Sequence, residues 1–149
     1  MTLTYIFHSG FVLETEQSIL VFDYWMDPSG VMNGVLRSGK PLYVFASHFH
    51  EDHFTKEIFE WKKQREGITY ILSKDIYKHR RANKEDADVW LAKGGTWSDD
   101  TISVWALGST DSGVSATAIP LVADNSLNGS RSGCSSLCTS LQASNPRGA

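Results

Sequence analysis

Three of the five histidines in this 149-residue chain fall within six positions, in Ser47-His48-Phe49-His50-Glu51-Asp52-His53-Phe54. The run follows Pro41-Leu42-Tyr43-Val44-Phe45-Ala46, a short apolar stretch rich in strand formers. Along an extended segment, residues two apart project to the same side. His48 and His50 can therefore address one ion, and Asp52 and His53, past the bend, a second. Neutral imidazole and carboxylate suit zinc, and also iron or manganese. Two ions about 3.5–4 Å apart can share a hydroxide that is nucleophilic at neutral pH. The competing reading is a histidine-rich surface loop without a role. The helical zinc-protease motif is excluded, because it needs His-Glu-x-x-His and only Glu51 and Asp52 separate His50 from His53.

The pattern His-x-His-x-Asp-His after an apolar strand resembles the signature of the metallo-β-lactamase superfamily, and the similarity extends over roughly residues 3–115. Ile19-Leu20-Val21-Phe22-Asp23-Tyr24 resembles that family's early strand ending in an aspartate. Leu107-Gly108-Ser109-Thr110-Asp111-Ser112-Gly113-Val114-Ser115 resembles, imperfectly, its later Gly-His-Thr-Pro-Gly turn. The resemblance implies an α/β protein with the αββα sandwich fold, here incomplete. It implies His48 and His50 on a first metal, Asp52 and His53 on a second, and Asp52 as the catalytic group that holds or shuttles a proton. The implied cofactor is Zn2+, as one or two ions, with Mn2+ or Fe2+ as substitutes. The implied activity is attack by metal-bound hydroxide on an ester, lactone, thioester, amide or phosphodiester of a small-molecule substrate.

The ligand set departs from the family. Its third histidine would fall near Ser109, for which Asp111 is a substitute, and its bridging aspartate is loosely imitated by Asp124. No histidine follows His79. Four secure donors are too few for two ions, so at most one metal per chain is expected, loosely held. The alternative function is a catalytically silent, truncated remnant that binds metal weakly.

The elements that must carry this loop are legible as periodicity. Tyr5-Ile6-Phe7, Phe11-Val12-Leu13 and Ile19–Tyr24 read as a β-meander. His8 is either near the metals or structural at a strand edge; Asp23 either orients a ligand histidine or closes a turn. Residues 25–41, with glycines at 30, 34 and 39, read as a long loop whose Trp25 and Met26 line a substrate wall or the core. Thr55 caps an expected helix through Glu66, with Ile58, Phe59 and Trp61 buried, Lys56, Lys62, Lys63 and Arg65 in solvent, and Gly67 at its end. Ile68–Leu72 is a strand, and Ser73 caps a helix through about Arg81. Val89–Leu91 and Thr101–Leu107 are further strands. Lys78-His79-Arg80-Arg81 with Lys84 reads as a solvated basic helix end, the competing reading being a phosphate or RNA contact.

Composition divides the chain. The aromatic residues all lie at or before Trp105, and after Asp111 only Asp124, Arg131 and Arg147 carry charge. Residues 1–114 are expected to form the metal-binding domain and 115–149, with eight serines, a disordered tail. A truncated or frame-disrupted gene product would produce this shift, and half a sandwich would expose a sheet face and favour self-association. A net charge of −3 and pI near 5.9 give no footprint for nucleic acid or anionic membrane. Cys134 and Cys138, near the C-terminus, do not indicate a disulfide framework. With no apolar run of membrane length and no basic-then-apolar leader, a cytoplasmic protein is expected.

Overall fold

The computed structural model describes residues 1–108 and the backbone of residues 118–124. The order of elements is β1 (Thr2–Phe7), β2 (Gly10–Glu14), β3 (Ile19–Phe22), α1 (Val31–Arg37), β4 (Leu42–Ala46), a 3-10 helix (Lys56–Lys63), β5 (Ile68–Ser73), α2 (Lys74–Lys78), a short 3-10 turn (Lys84–Asp86), β6 (Val89–Leu91), β7 (Thr96–Ser98), β8 (Ile102–Gly108) and β9 (Ala118–Asp124).

Strands β1 to β6 form one sheet in sequence order, and β7 to β9 form a second. The expected meander is present, since β1–β2 and β2–β3 are antiparallel, whereas β3–β4, β4–β5 and β5–β6 are parallel. Parallel neighbours need crossovers, and α1, the longer 3-10 helix and α2 supply them. Alternation then sorts the side chains into two cores. Val12, Ile19, Val21, Leu42, Val44, Tyr70 and Leu72 pack under Met32 and Val35 of α1, Ile58 and Trp61 of the 3-10 helix and Ile76 of α2. Leu13, Leu20, Tyr43, Phe45 and Ile71 face the other way, against Ile102, Val104 and Ala106 of the second sheet. Each fully buried aliphatic side chain stabilises by about 1.5–3 kcal/mol. The chain is thus an α/β fold of helices, sheet and sheet in layers.

Several local expectations are corrected. The segment 25–41 is not only loop. Asp27 accepts from the N–H of Val31 (2.9 Å) and Met32 (2.8 Å), and this carboxylate satisfies the start of α1. The segment after Thr55 is a 3-10 helix ending at Lys63, with Ile58 and Trp61 buried three apart, as a three-residue turn requires. Arg65 does not face solvent freely: its guanidinium donates to the carbonyls of Val35, Ser38 and Lys40, closing the end of α1. The helix after Ser73 is shorter than expected, ending at Lys78.

Strand β9 lies beyond the boundary expected after residue 114 and pairs with β8 from Ile102↔Asp124 to Gly108↔Ala118. Pro120 is accommodated because, among the described residues, β9 is the outermost strand of its sheet. Residues 109–117 and 125–149, which include Ser109, Asp111 and both cysteines, lie outside the described residues. Among the described residues no helix covers the outer face of β8, where Trp105 is 44% and Leu107 47% exposed. No described helix is long and apolar enough to cross a membrane.

Candidate metal centre

Strand β4 is central in its sheet, and the histidine run leaves its carboxyl end beside the ends of β3 and β5. Ligands collect at this edge of parallel sheets because successive loops converge there. The loop is pinned at both sides. The N–H groups of His53 and Phe54 both donate to the His50 carbonyl at 3.0 Å, closing a tight turn, and Phe54 is fully buried.

Asp23, just past β3, is the hub. Its backbone φ is 46°, a left-handed conformation that aspartate tolerates better than most residues. Its Oδ1 accepts from the Ser47 N–H at 2.7 Å, and its Oδ2 accepts from the Ser47 hydroxyl at 2.7 Å. Oδ2 also lies 2.9 Å from His53 Nδ1. A carboxylate only accepts, so His53 Nδ1 carries the proton. Because the Ser47 hydroxyl spends its proton on Asp23, its oxygen can accept from His48 Nδ1, 3.2 Å away. One carboxylate therefore assigns the same tautomer to two histidines, and leaves a lone pair on the Nε2 of each.

Those Nε2 atoms are where the donors pair. His48 Nε2 is 3.0 Å from His50 Nδ1, and His53 Nε2 is 3.4 Å from Asp52 Oδ2. Both separations are close to those of two donors each about 2 Å from one ion. The His48 and His53 rings lie 3.9 Å apart between centroids, so the two pairs adjoin. Burial, followed by repulsion from His53, lowers the His48 pKa to about 4. His48 is thus neutral at pH 7, the state in which imidazole binds metal. The donor chemistry fits a zinc-class ion; the donor number does not complete a shell. Among the described residues no group of three His, Cys, Asp or Glu side chains is arranged to hold a metal.

The fold also decides among the doubtful ligands. Ala106 lines a small cavity with Ala46 and Ser73, so the Gly108 end of β8 lies at the edge that bears the histidines. Asp124 pairs with Ile102 at the other end of β8, six residues or about 20 Å away. That far end is tied to the start of β4, since Tyr43 donates to Asp99 at 2.6 Å and Asp99 accepts from the Ile102 N–H. Asp124 is therefore placed away from the donor pairs.

His8 sits in the β1–β2 turn with φ 53°, its ring against Phe7 and edge-on to Trp25. Trp25 is partly buried and Met26 is exposed. His79 is exposed, as expected, but its ring stacks on Phe49 at 3.7 Å. Two contributors escaped sequence reasoning. Ser47 lay inside the motif without a role. Asp75, buried beneath the loop, accepts from the Phe49 N–H at 3.3 Å. Burial raises the Asp75 pKa, against Ser73, the Phe49 N–H and His79, which lower it.

The chain is similar in fold to Igni18, a novel metallo hydrolase from the hyperthermophilic archaeon Ignicoccus hospitalis, with a TM-score of 0.58 and 15% identity. The match covers 83% of this chain and 56% of that one, so the chain spans little more than half of its neighbour. The likeness is one of fold. A mutant of the CmlA beta-hydroxylase matches 80% of this chain and 27% of that one, with 14% identity and a TM-score of 0.48. No protein-family model matches the chain, and no curated protein matches it in sequence.

Proposed function

We propose that the chain is a metal-dependent hydrolase of the metallo-β-lactamase type, with His48, His50, Asp52 and His53 as its metal ligands. The observation that supports this most is that one carboxylate, directly and through Ser47, assigns the tautomers of His48 and His53 and turns the Nε2 of each toward a second donor side chain. A surface loop of histidines has no need of that arrangement. When bound, zinc, or manganese or iron in its place, polarises a carbonyl or phosphoryl oxygen and acidifies a water. The chain's own residues do the rest. Asp23 and Ser47 hold His48 and His53 in the ligating tautomer, and the burial of His48 keeps it neutral. Asp52, whose side chain is 43% exposed, is open to solvent and substrate and can take up the proton that the attacking water loses. The substrate is a small ester, lactone, thioester, amide or phosphodiester. The outer sheet layer and fourth helical layer of the full αββα sandwich belong to this reading, as does one metal per chain, held loosely.

Calorimetric titration of zinc into the chelator-stripped chain tests it. One weak site is expected, and it disappears in the His48→Ala, His50→Ala double variant. Uptake unchanged by that double substitution would refute the assignment. Zinc-stimulated turnover of generic esters, lactones and phosphodiesters, lost in Asp52→Asn, is the matching activity result. The second reading, a silent metal-binding remnant, has its own support, because no third donor joins either pair among the described residues. It predicts zinc uptake without turnover.

A further inference from the structure

Helix α2 reaches the histidine loop through two side chains. Asp75 and His79 are one turn apart, joined by the His79 N–H to Asp75 carbonyl bond of 2.8 Å. Residues four apart share a helix face, and here both address Phe49, the residue between His48 and His50. Asp75 Oδ2 accepts from the Phe49 N–H at 3.3 Å. The His79 ring lies on the Phe49 ring at 3.7 Å with an interplanar angle of 18°. We propose that Asp75 and His79 are positioning residues that clamp the backbone and ring of Phe49, and thereby set how far apart His48 and His50 stand. This rests on the reading of those histidines as a ligand pair.

Energetics argue against a purely stabilising role for Asp75. It is 5% exposed, and neither its Oδ1 nor the buried Ser73 hydroxyl makes a well-formed hydrogen bond, although Ser73 acts on the carboxylate and lowers its pKa. A buried carboxylate with an imperfectly satisfied oxygen is costly, and an apolar residue of similar size would fill the space at less cost. What an apolar residue cannot do is hold the Phe49 N–H. Residues 48–50 lie in bends past the end of β4, where no strand ladder fixes the backbone, so the spacing of the neighbours on either side of Phe49 depends on contacts such as these. The grip on the Phe49 N–H orients the peptide after His48, and the His79 stack holds the Phe49 ring, which in turn packs against the His50 ring with centroids 4.5 Å apart. The outcome is the 3.0 Å approach of His48 Nε2 and His50 Nδ1.

The test uses the full chain in three variants: Asp75→Ala, Asp75→Asn and His79→Ala. In the chelator-stripped protein, nitrogen-15 spectra report the histidine rings, and hydrogen exchange reports the Phe49 amide. Asp75→Ala is expected to speed Phe49 exchange about tenfold and to shift the His48 and His50 ring signals. Asp75→Asn keeps an oxygen acceptor and should retain wild-type signals. Zinc affinity is expected to fall about tenfold in Asp75→Ala and to be preserved in Asp75→Asn. Unchanged ring signals and Phe49 exchange in Asp75→Ala overturn the clamp, even if stability drops. Should Asp75→Ala not fold, His79→Ala decides, since His79 is exposed: unmoved His50 signals overturn the proposal, and shifted ones support it. A wild-type chain that binds no zinc would sink the metal assignment alone, because the metal-free ring and exchange readouts still decide the clamp.

Discussion

Replacing Asp23 by asparagine is the most informative single change, because it alters hydrogen-bond polarity and little else. Asparagine tolerates the left-handed backbone at φ 46° as well as aspartate does. Its oxygen can still accept from the Ser47 N–H. The other branch becomes an NH2 group facing the Ser47 hydroxyl and His53 Nδ1, which now lie 2.7 and 2.9 Å from Oδ2. Both must become acceptors. Accepting at Nδ1 moves the His53 proton to Nε2, the nitrogen beside Asp52. The Ser47 hydroxyl, no longer donating to residue 23, turns to His48 Nδ1 and drives that proton to Nε2 as well. One isosteric substitution thus blocks the ligating lone pairs of two histidines. The metal-free fold loses the charge on three hydrogen bonds but not the bonds, for a cost of about 1–2 kcal/mol. Zinc affinity falls about 10- to 100-fold, as for other partners that orient ligand histidines. Competition with a chromophoric chelator measures the affinity, and long-range nitrogen-15 spectra of the histidines read the tautomers. Wild-type affinity with both protons still on Nδ1 would refute the reasoning.

Two further outcomes follow from the same structure. The His48 pKa lies near 4 in the fold against 6.5 in the unfolded chain, so below 6.5 the unfolded state binds the extra proton. Stability of the metal-free protein is therefore expected to fall by about 2 kcal/mol as pH drops through that window, after discounting for partial exposure. Urea unfolding measures this, and His48→Gln should flatten the slope; an unflattened slope would assign the loss elsewhere. Asp99 joins the two sheets, accepting from the Tyr43 hydroxyl and from the N–H groups of Thr101 and Ile102. Burial pushes its pKa up, but those three donors outweigh it and hold the carboxyl below its usual range. Asp99→Ala is expected to cost about 1–2 kcal/mol, with most of the difference from wild type vanishing once acid protonates Asp99. A difference that persists in acid would show that charge is not what holds the contact.

The sequence determined whatever a short local run decides. The continuous apolar run Leu42–Ala46 announces a β4 buried on both faces, whereas His48 and His50 meet through bends past its end and not through strand spacing. The opening meander, β5, β6 and β8 follow from their own runs of strand-forming residues. Where a single distant group decides, local pattern is silent. The helix inside residues 25–41 begins where the Asp27 carboxylate reaches two N–H groups across a turn, and Arg65 closes it from nearly thirty residues away. The tautomers of the site depend on Asp23, which β3–β4 pairing delivers to Ser47 and His53 from 24 and 30 positions off. Asp124 looked like a ligand while only its type and strand-end position were known; antiparallel register with β8 places it at the opposite edge. Asp75 carries no motif, and only the packing of α2 under the loop reveals it. Ligand types and their order are written locally because they are carried by one short stretch directly after a strand. Protonation, spacing and the choice among distant carboxylates belong to the tertiary structure, because each depends on which remote group the sheet brings within about 3 Å.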